Sequence, residues 1–266
     1  RWCWFSDEDA QTLERQEAYS EALSRALDSG DGLSVTLQAI GDAHNGQMLG
    51  FSSSVAWDHA GEVWEGAALF ELVQKSGHSA RLSAEGMRAS VRAVGEARAR
   101  GADTGQLWLS VQPEHATLEN FQQSLDELCK RYDVPAGAIT VSVEAKAFLG
   151  RASEAVEATF LALHAAGYRV AMDAFGAVAA SPLTLQRLSI HAVRLDEALT
   201  APLQDVDACD SVVRAQVSMA RALGIELLAT GVASPEHAAR LADLGCVALQ
   251  GPVLSQPVEP ENLLPH

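Results

Sequence analysis

The sequence predicts an α/β fold, a modified (β/α)8 TIM-like barrel whose first strand runs antiparallel. Three observations carry this. Eight short apolar or alternating segments are spread along 266 residues, enough strands for one closed barrel. From residue 107 onward these segments alternate with helical stretches, the rhythm of a parallel sheet. Between the first two segments stands Asn45-Gly46, a hairpin turn signal, so the sheet opens with an antiparallel pair.

Ser6-Asp7-Glu8-Asp9 reads as a helix start, with Ser6 as N-cap and carboxylates in the first turn. Leu13, Tyr19, Leu23 and Leu27 continue it at near-helical spacing, and Gly30 and Gly32 stop it. Residues 1–32 are thus expected as a linker helix, and 33–266 as the domain proper. Residues 34–40 and Met48 to Trp57 are the hairpin strands, followed by helices over Gly66 to Ser76 and Ser83 to Arg100. Strands are then predicted over 107–111, 139–144, 168–173, 192–196, 226–229 and 247–249. The helices between them cover 118–131, 153–166, 183–188, 208–223 and 235–244. Gly167 and Gly224 close two of these.

Net charge is −16 and the sequence pI about 4.8. Nonspecific nucleic-acid binding needs clustered Lys and Arg, so nucleic acid is excluded as a partner. A small anionic nucleotide held by local groups is not. Cys3, Cys129, Cys209 and Cys246 lack CxxC spacing, which speaks against zinc or a disulfide framework and for a reduced, cytoplasmic setting. No apolar run reaches the roughly 18–20 residues that span a bilayer. The first residue is Arg1, not Met, and a fragment of a longer protein is expected.

Ligands and chemistry collect at the carboxyl ends of barrel strands. Those ends offer Gln38, Ser52, Gln112, Glu144, Asp173, Asp196, Thr230 and Gln250, a polar ring with three carboxylates. Two-metal phosphodiester hydrolysis needs a denser set of oxygens. The eight histidines are scattered, and Glu114-His115 and Glu236-His237 are sequence neighbours that do not face each other on a helix. All eight read as structural or solvent-facing. Trp57, Trp64 and Phe70 read as core or barrel mouth.

Six segments resemble, in order, those of the EAL domain family, whose active members are cyclic di-GMP phosphodiesterases. Thr36-Leu37-Gln38-Ala39-Ile40 is similar to a Tyr-Gln-Pro-Ile strand, and Gly50 to Trp57 lies where the Glu-Ala-Leu signature belongs. Asp173-Ala174-Phe175-Gly176 resembles Asp-Asp-Phe-Gly, Val193-Arg194-Leu195-Asp196 resembles Leu-Lys-Ile-Asp, and Ala229-Thr230-Gly231-Val232 resembles Ala-Glu-Gly-Val. Residues 250–257 resemble Gln-Gly-Tyr-Leu-Phe-Ser-Lys-Pro. The resemblance implies the barrel with an antiparallel first strand already read from the hairpin.

Against that pattern, the signature Glu is Ser52, the phosphate-binding Arg is Ala56, and the metal-binding Asn is Gln112. The second Asp of the acidic pair is Ala174, the Lys linked to water activation is Arg194, and two further Glu positions are Thr230 and Ala233. The loop after Gly176 has Val178 in place of Gly. The Glu of a Leu-Glu-Ile-Thr-Glu segment aligns with either Glu144 or Ser142. Ser and Thr hydroxyls do not replace carboxylates in confining divalent cations, and a guanidinium grips phosphate without serving as a base.

The resemblance with these departures therefore implies a catalytically inactive, degenerate EAL domain. It carries no catalytic residues, no metal and no cofactor, and no measurable hydrolysis of cyclic di-GMP is expected. It is expected to act through a protein partner in bacterial signalling, with cyclic di-GMP binding open. Nucleotide contacts fall to Gln38, Asp173, Phe175, Gly176, Arg194, Gln250 and Gly251, with Phe175 offering a face to guanine. A GGDEF-like or sensor domain upstream, and a second copy of the chain, are further expected partners. The alternative is a weakly active metal-dependent phosphodiesterase, which requires Glu144, Asp173 and Asp196 to converge on one metal.

Overall fold

In the computed structural model, residues 7–149, 153–176, 181–200 and 206–263 are described. Period-2 segments form the strands. The hairpin joins β1 (Leu33–Asp42) to β2 (Met48–His59), which turns again into the short β3 (Glu62–Glu65). Next come β4 (Gln106–Ser110), β5 (Ile139–Glu144), β6 (Arg169–Phe175), β7 (Ala192–Leu195), β8 (Glu226–Ala229) and β9 (Ala248–Gln250). β1 pairs antiparallel with both β2 and β9, and every other neighbour in the ring is parallel. The ring of eight strands closes as expected, while β3 extends β2 outside it.

Helices cover the barrel. They are α1 (Asp7–Ser29), α2 (Gly66–Ser76), α3 (Ser79–Ala99), α4 (Pro113–Ala116) and α5 (Phe121–Arg131). Then follow α6 (Ser153–Ala165), α7 (Pro182–Arg187), α8 (Glu197–Thr200), α9 (Val206–Leu223) and α10 (Pro235–Leu244). No helix among the described residues is long and apolar enough to cross a membrane.

Strand alternation separates two packing surfaces. Outward residues such as Leu107, Leu109, Val170 and Met172 bury against the helices in the main core. Inward, Ile40, Trp108, Ala171, Ala192 and Leu228 form an apolar floor, a filled layer as barrels require. The next inward residues along β4, β6 and β7 are Ser110, Asp173 and Arg194. The floor is therefore apolar and the layer above it polar.

The linker expected over residues 1–32 is corrected in part. Leu23, Ala26 and Leu27 are buried with Trp57, Leu69, Leu72 and Val73 in a second core. The Tyr19 hydroxyl donates to Glu62 at 2.7 Å. α1 thus packs on the hairpin extension and α2, because its apolar stripe finds a partner there. The N-cap expected at Ser6 lies outside the described residues, as does Val178.

Candidate functional site

Buried Ser142, the more open Ser110 and the buried carboxylate of Asp173 make the base of the mouth. The hydroxyls of Ser110 and Ser142 both donate to Oδ2 of Asp173, at 2.8 and 2.7 Å. The other oxygen, Oδ1, is buried and accepts no hydrogen bond. Facing it is Nε of Arg194, 3.6 Å away, an ion pair beyond hydrogen-bond distance. The guanidinium reaches across the barrel from β7. Its Nη1 donates to Ser110 at 3.2 Å and its Nη2 to Ser52 on β2 at 3.1 Å. It also lies over the Trp108 ring, 5.0 Å from the centroid, a favourable cation–π placement. Side chains of three strands thus hold one fixed cation at the mouth.

Beside it, the amides of β1 and β9 meet. Nε2 of Gln250 donates to Oε1 of Gln38 at 2.9 Å, and Nε2 of Gln38 donates to the Ser255 carbonyl at 3.0 Å. Oε1 of Gln250 keeps a free acceptor. Gly251 lies so close to the segment after β8 that a Cβ there would come within 2.3 Å of the Val232 nitrogen and oxygen, so only glycine fits.

A cavity of about 480 Å³ opens above this layer, in the range of small-molecule sites. Its polar end is lined by Gln38, Ser52, Ser110, Arg194, Thr230 and Gln250. Its apolar end runs out under α2 and α3, against Val55, Leu69, Phe70, Leu82 and Met87. Glu197, at the start of α8, is the only carboxylate lining it among the described residues.

The structure brings together part of the expected set. Gln38, Arg194, Gln250 and Gly251 line the cavity. Asp173 lies behind Arg194. Phe175 is only 2% exposed and packs in the main core, so its ring offers no face to a base, and that expectation is corrected. Gly176, at φ +94, faces Leu199 rather than the cavity. Trp57 is core, while Phe70 is 39% exposed and forms cavity wall.

Two ring positions are corrected as well. Gln112 has left β4 and stands before Pro113, the first residue of α4, so Ser110 is the residue of that strand that reaches Asp173. Ser142, not Glu144, is its counterpart on β5. Glu144 lies opposite Asp173 in strand register, but its side chain, 44% exposed, pairs with Lys146 at 2.5 Å. Asp196 is also elsewhere, accepting from the Ala198 amide at the start of α8. The convergence of Glu144, Asp173 and Asp196 on one metal does not occur. No cluster of three or more His, Cys, Asp or Glu exists among the described residues. One carboxylate, three hydroxyls and a guanidinium are not a donor set for paired divalent cations.

Histidines serve the scaffold. His115 is buried against Phe121, with Nδ1 3.0 Å from the Ser83 hydroxyl, and burial pushes its imidazole down to about 4. His237 sits with Nε2 2.6 Å from the Thr200 carbonyl.

A closed eight-strand ring with an antiparallel first strand and a half-polar, half-apolar cavity at its mouth defines a modified (β/α)8 barrel. The chain belongs to the EAL domain family, which matches residues 20–257. The cyclic di-GMP phosphodiesterase PA2567 of Pseudomonas aeruginosa is 25% identical over 263 residues, 98% of this chain and 44% of that relative. Rv1357c of Mycobacterium tuberculosis is 28% identical over 93% of this chain and 82% of its own length. Among solved structures, the PaMucR phosphodiesterase in complex with c-di-GMP superposes with a TM-score of 0.85 at 21% identity, covering 92% of this chain and 100% of that one. The Xanthomonas citri FimX EAL domain, in complex with c-diGMP, gives 0.80 at 19% identity over 94% and 97%. These superpositions show the fold. The chain spans less than half the length of PA2567.

The expectation that the chain is not an enzyme is corrected by this placement. Its relatives PA2567 and RocR of Pseudomonas aeruginosa, the latter 25% identical over 64% of this chain, are cyclic di-GMP phosphodiesterases. Substituted ligand positions alone do not remove a chain from a family of enzymes.

Proposed function

We propose that the chain binds cyclic di-GMP at the barrel mouth and hydrolyses it slowly, in bacterial cyclic di-GMP signalling. The observation that carries this is the two-ended cavity. Arg194 presents a cation for a phosphodiester, and the wall of Val55, Leu69, Phe70, Leu82 and Met87 suits a purine. The phosphodiesterase relatives supply the chemistry, and the complexes of PaMucR and FimX supply the ligand by likeness.

Slow turnover follows from the residues. Arg194 offsets charge on the phosphate, and Glu197 is the carboxylate on the cavity wall placed to take a proton from water. Ser52, Ser110 and Ser142 contribute hydroxyls where carboxylates would confine cations. A rate at least about 10³-fold below that of a relative with a full carboxylate set is expected. A long-lived complex would let occupancy itself be read by a signalling partner. The test is product formation from labelled cyclic di-GMP under single-turnover conditions, beside an active family member. A rate within tenfold of that member refutes the slow-turnover reading. A total absence of product refutes the enzymatic one.

A further inference from the structure

Resting on the nucleotide-binding reading above, we infer that Arg194 is a tethered substitute for a metal ion, so that anionic ligands bind this mouth without divalent cations. Three features lead there. First, the guanidinium sits at the centre of the strand ends, held by Ser52, Ser110, Asp173 and the face of Trp108. Its side chain is 14% exposed. This is a positive charge fixed by side chains of three strands before any ligand arrives, the preorganisation that anion binding rewards.

Second, its hydrogen bonding is incomplete. Nη1 and Nη2 each donate to a serine hydroxyl, but buried Nε has no acceptor, and Oδ1 of Asp173, opposite it, has no donor. Serine hydroxyls are neutral acceptors. A phosphate oxygen offers charge-assisted bonds roughly twice as strong and accepts the planar fork bidentately. Exchange of hydroxyls for phosphate oxygens is therefore favourable, and Ser110 keeps its own bond to Asp173 throughout. Third, a metal is disfavoured at the same place. A divalent cation among Ser52, Ser110, Ser142 and Asp173 would meet a single carboxylate and a like charge within the same cluster.

The experiment is calorimetric titration of the chain with cyclic di-GMP and, separately, with inorganic pyrophosphate, in EDTA and in millimolar Mg²⁺. Pyrophosphate chelates Mg²⁺, so its titration is compared in EDTA only. The inference expects cyclic di-GMP affinity unchanged within about twofold by EDTA. It expects at least a tenfold loss of both ligands in Arg194→Met and an intermediate loss in Arg194→Lys, which keeps charge but not the fork. Circular dichroism and thermal melting of both variants confirm folding, and Arg194→Lys serves if Arg194→Met unfolds. Binding of cyclic di-GMP only with Mg²⁺ overturns the inference and leaves the nucleotide-binding reading standing. Arginine-dependent binding of pyrophosphate without cyclic di-GMP overturns that reading and leaves the tethered cation standing. Wild-type affinity in Arg194→Met, or no binding of either ligand, overturns the inference.

Discussion

Nε of Arg194 and Oδ1 of Asp173 face each other at 3.6 Å inside the barrel mouth, and neither makes a hydrogen bond. Each charge limits the other. The carboxylate lowers the pull of the guanidinium on an anion, and the guanidinium keeps cations off the carboxylate.

Asp173→Asn separates these effects. Asn still accepts from Ser110 and Ser142 but leaves Arg194 without its counter-charge. Pyrophosphate affinity is expected to rise by roughly tenfold. Stability should fall by about 1–3 kcal/mol in urea unfolding, as for a mostly buried pair that loses one charge. Unchanged affinity would show that the carboxylate does not restrain the guanidinium.

Glu197 lies on the cavity wall, where the proposed dinucleotide would bring negative charge beside it. Glu197→Gln should remove residual hydrolysis, by about 10²-fold or more, while dinucleotide affinity holds or improves as one repulsion is lost. Single-turnover rates and dissociation constants are measured on the same preparation. A parallel loss of both would make Glu197 a binding group instead of a proton acceptor.

Phe70 is 39% exposed on the apolar wall. Phe70→Ala is expected to cost about 1–2 kcal/mol of cyclic di-GMP binding, the scale of one base–aromatic contact. Melting temperature should hold to within a few degrees, since little of the ring is in the core. Pyrophosphate, which lacks a base, should bind this variant as it binds the parent chain.

His115 gives a pH signature. Burial holds its imidazole neutral down to about 4 in the fold, whereas the unfolded chain takes the proton near 6.5. Between those values the unfolded state binds more protons, so stability rises with pH there. The contribution is fully present above about 6.5 and is lost as pH falls towards 4, up to about 3 kcal/mol. Urea unfolding of the parent chain and of His115→Gln from pH 7.5 to 4.5 measures it. The free-energy gap between them should shrink on acidification, and a constant gap would contradict this origin.

The fold was legible because its signals are local. Asn45-Gly46 marked the hairpin, and the βα rhythm from residue 107 marked the barrel. The site was less so, because strand period distinguishes faces but not layers. Gln112 and Ser110 share parity, as do Glu144 and Ser142. The structure puts the serines in the mouth, Gln112 beyond the strand and Glu144 at a half-exposed position beside Lys146. Glu197 carried no signal, since it belongs to a four-residue helix after β7. The grip on Arg194 joins Ser52, Trp108, Ser110 and Asp173, residues 21 to 142 positions away in sequence, a relation that exists only once the barrel closes. For Phe175 the resemblance implied a face toward guanine, yet the register shift between Met172 and Phe175 in the β6–β7 pairing accompanies its ring's place in the core.

The most direct test of the central claim, that Arg194 receives the dinucleotide's phosphate, is the side-chain Nε–H resonance of Arg194. It is assigned by its loss in Arg194→Lys and followed by two-dimensional ¹H–¹⁵N NMR as cyclic di-GMP is added in EDTA. Its hindered, buried position should make it visible in the free protein. The account predicts a saturable shift of this resonance that tracks the calorimetric isotherm. A resonance that stays in place while cyclic di-GMP saturates the chain would contradict it.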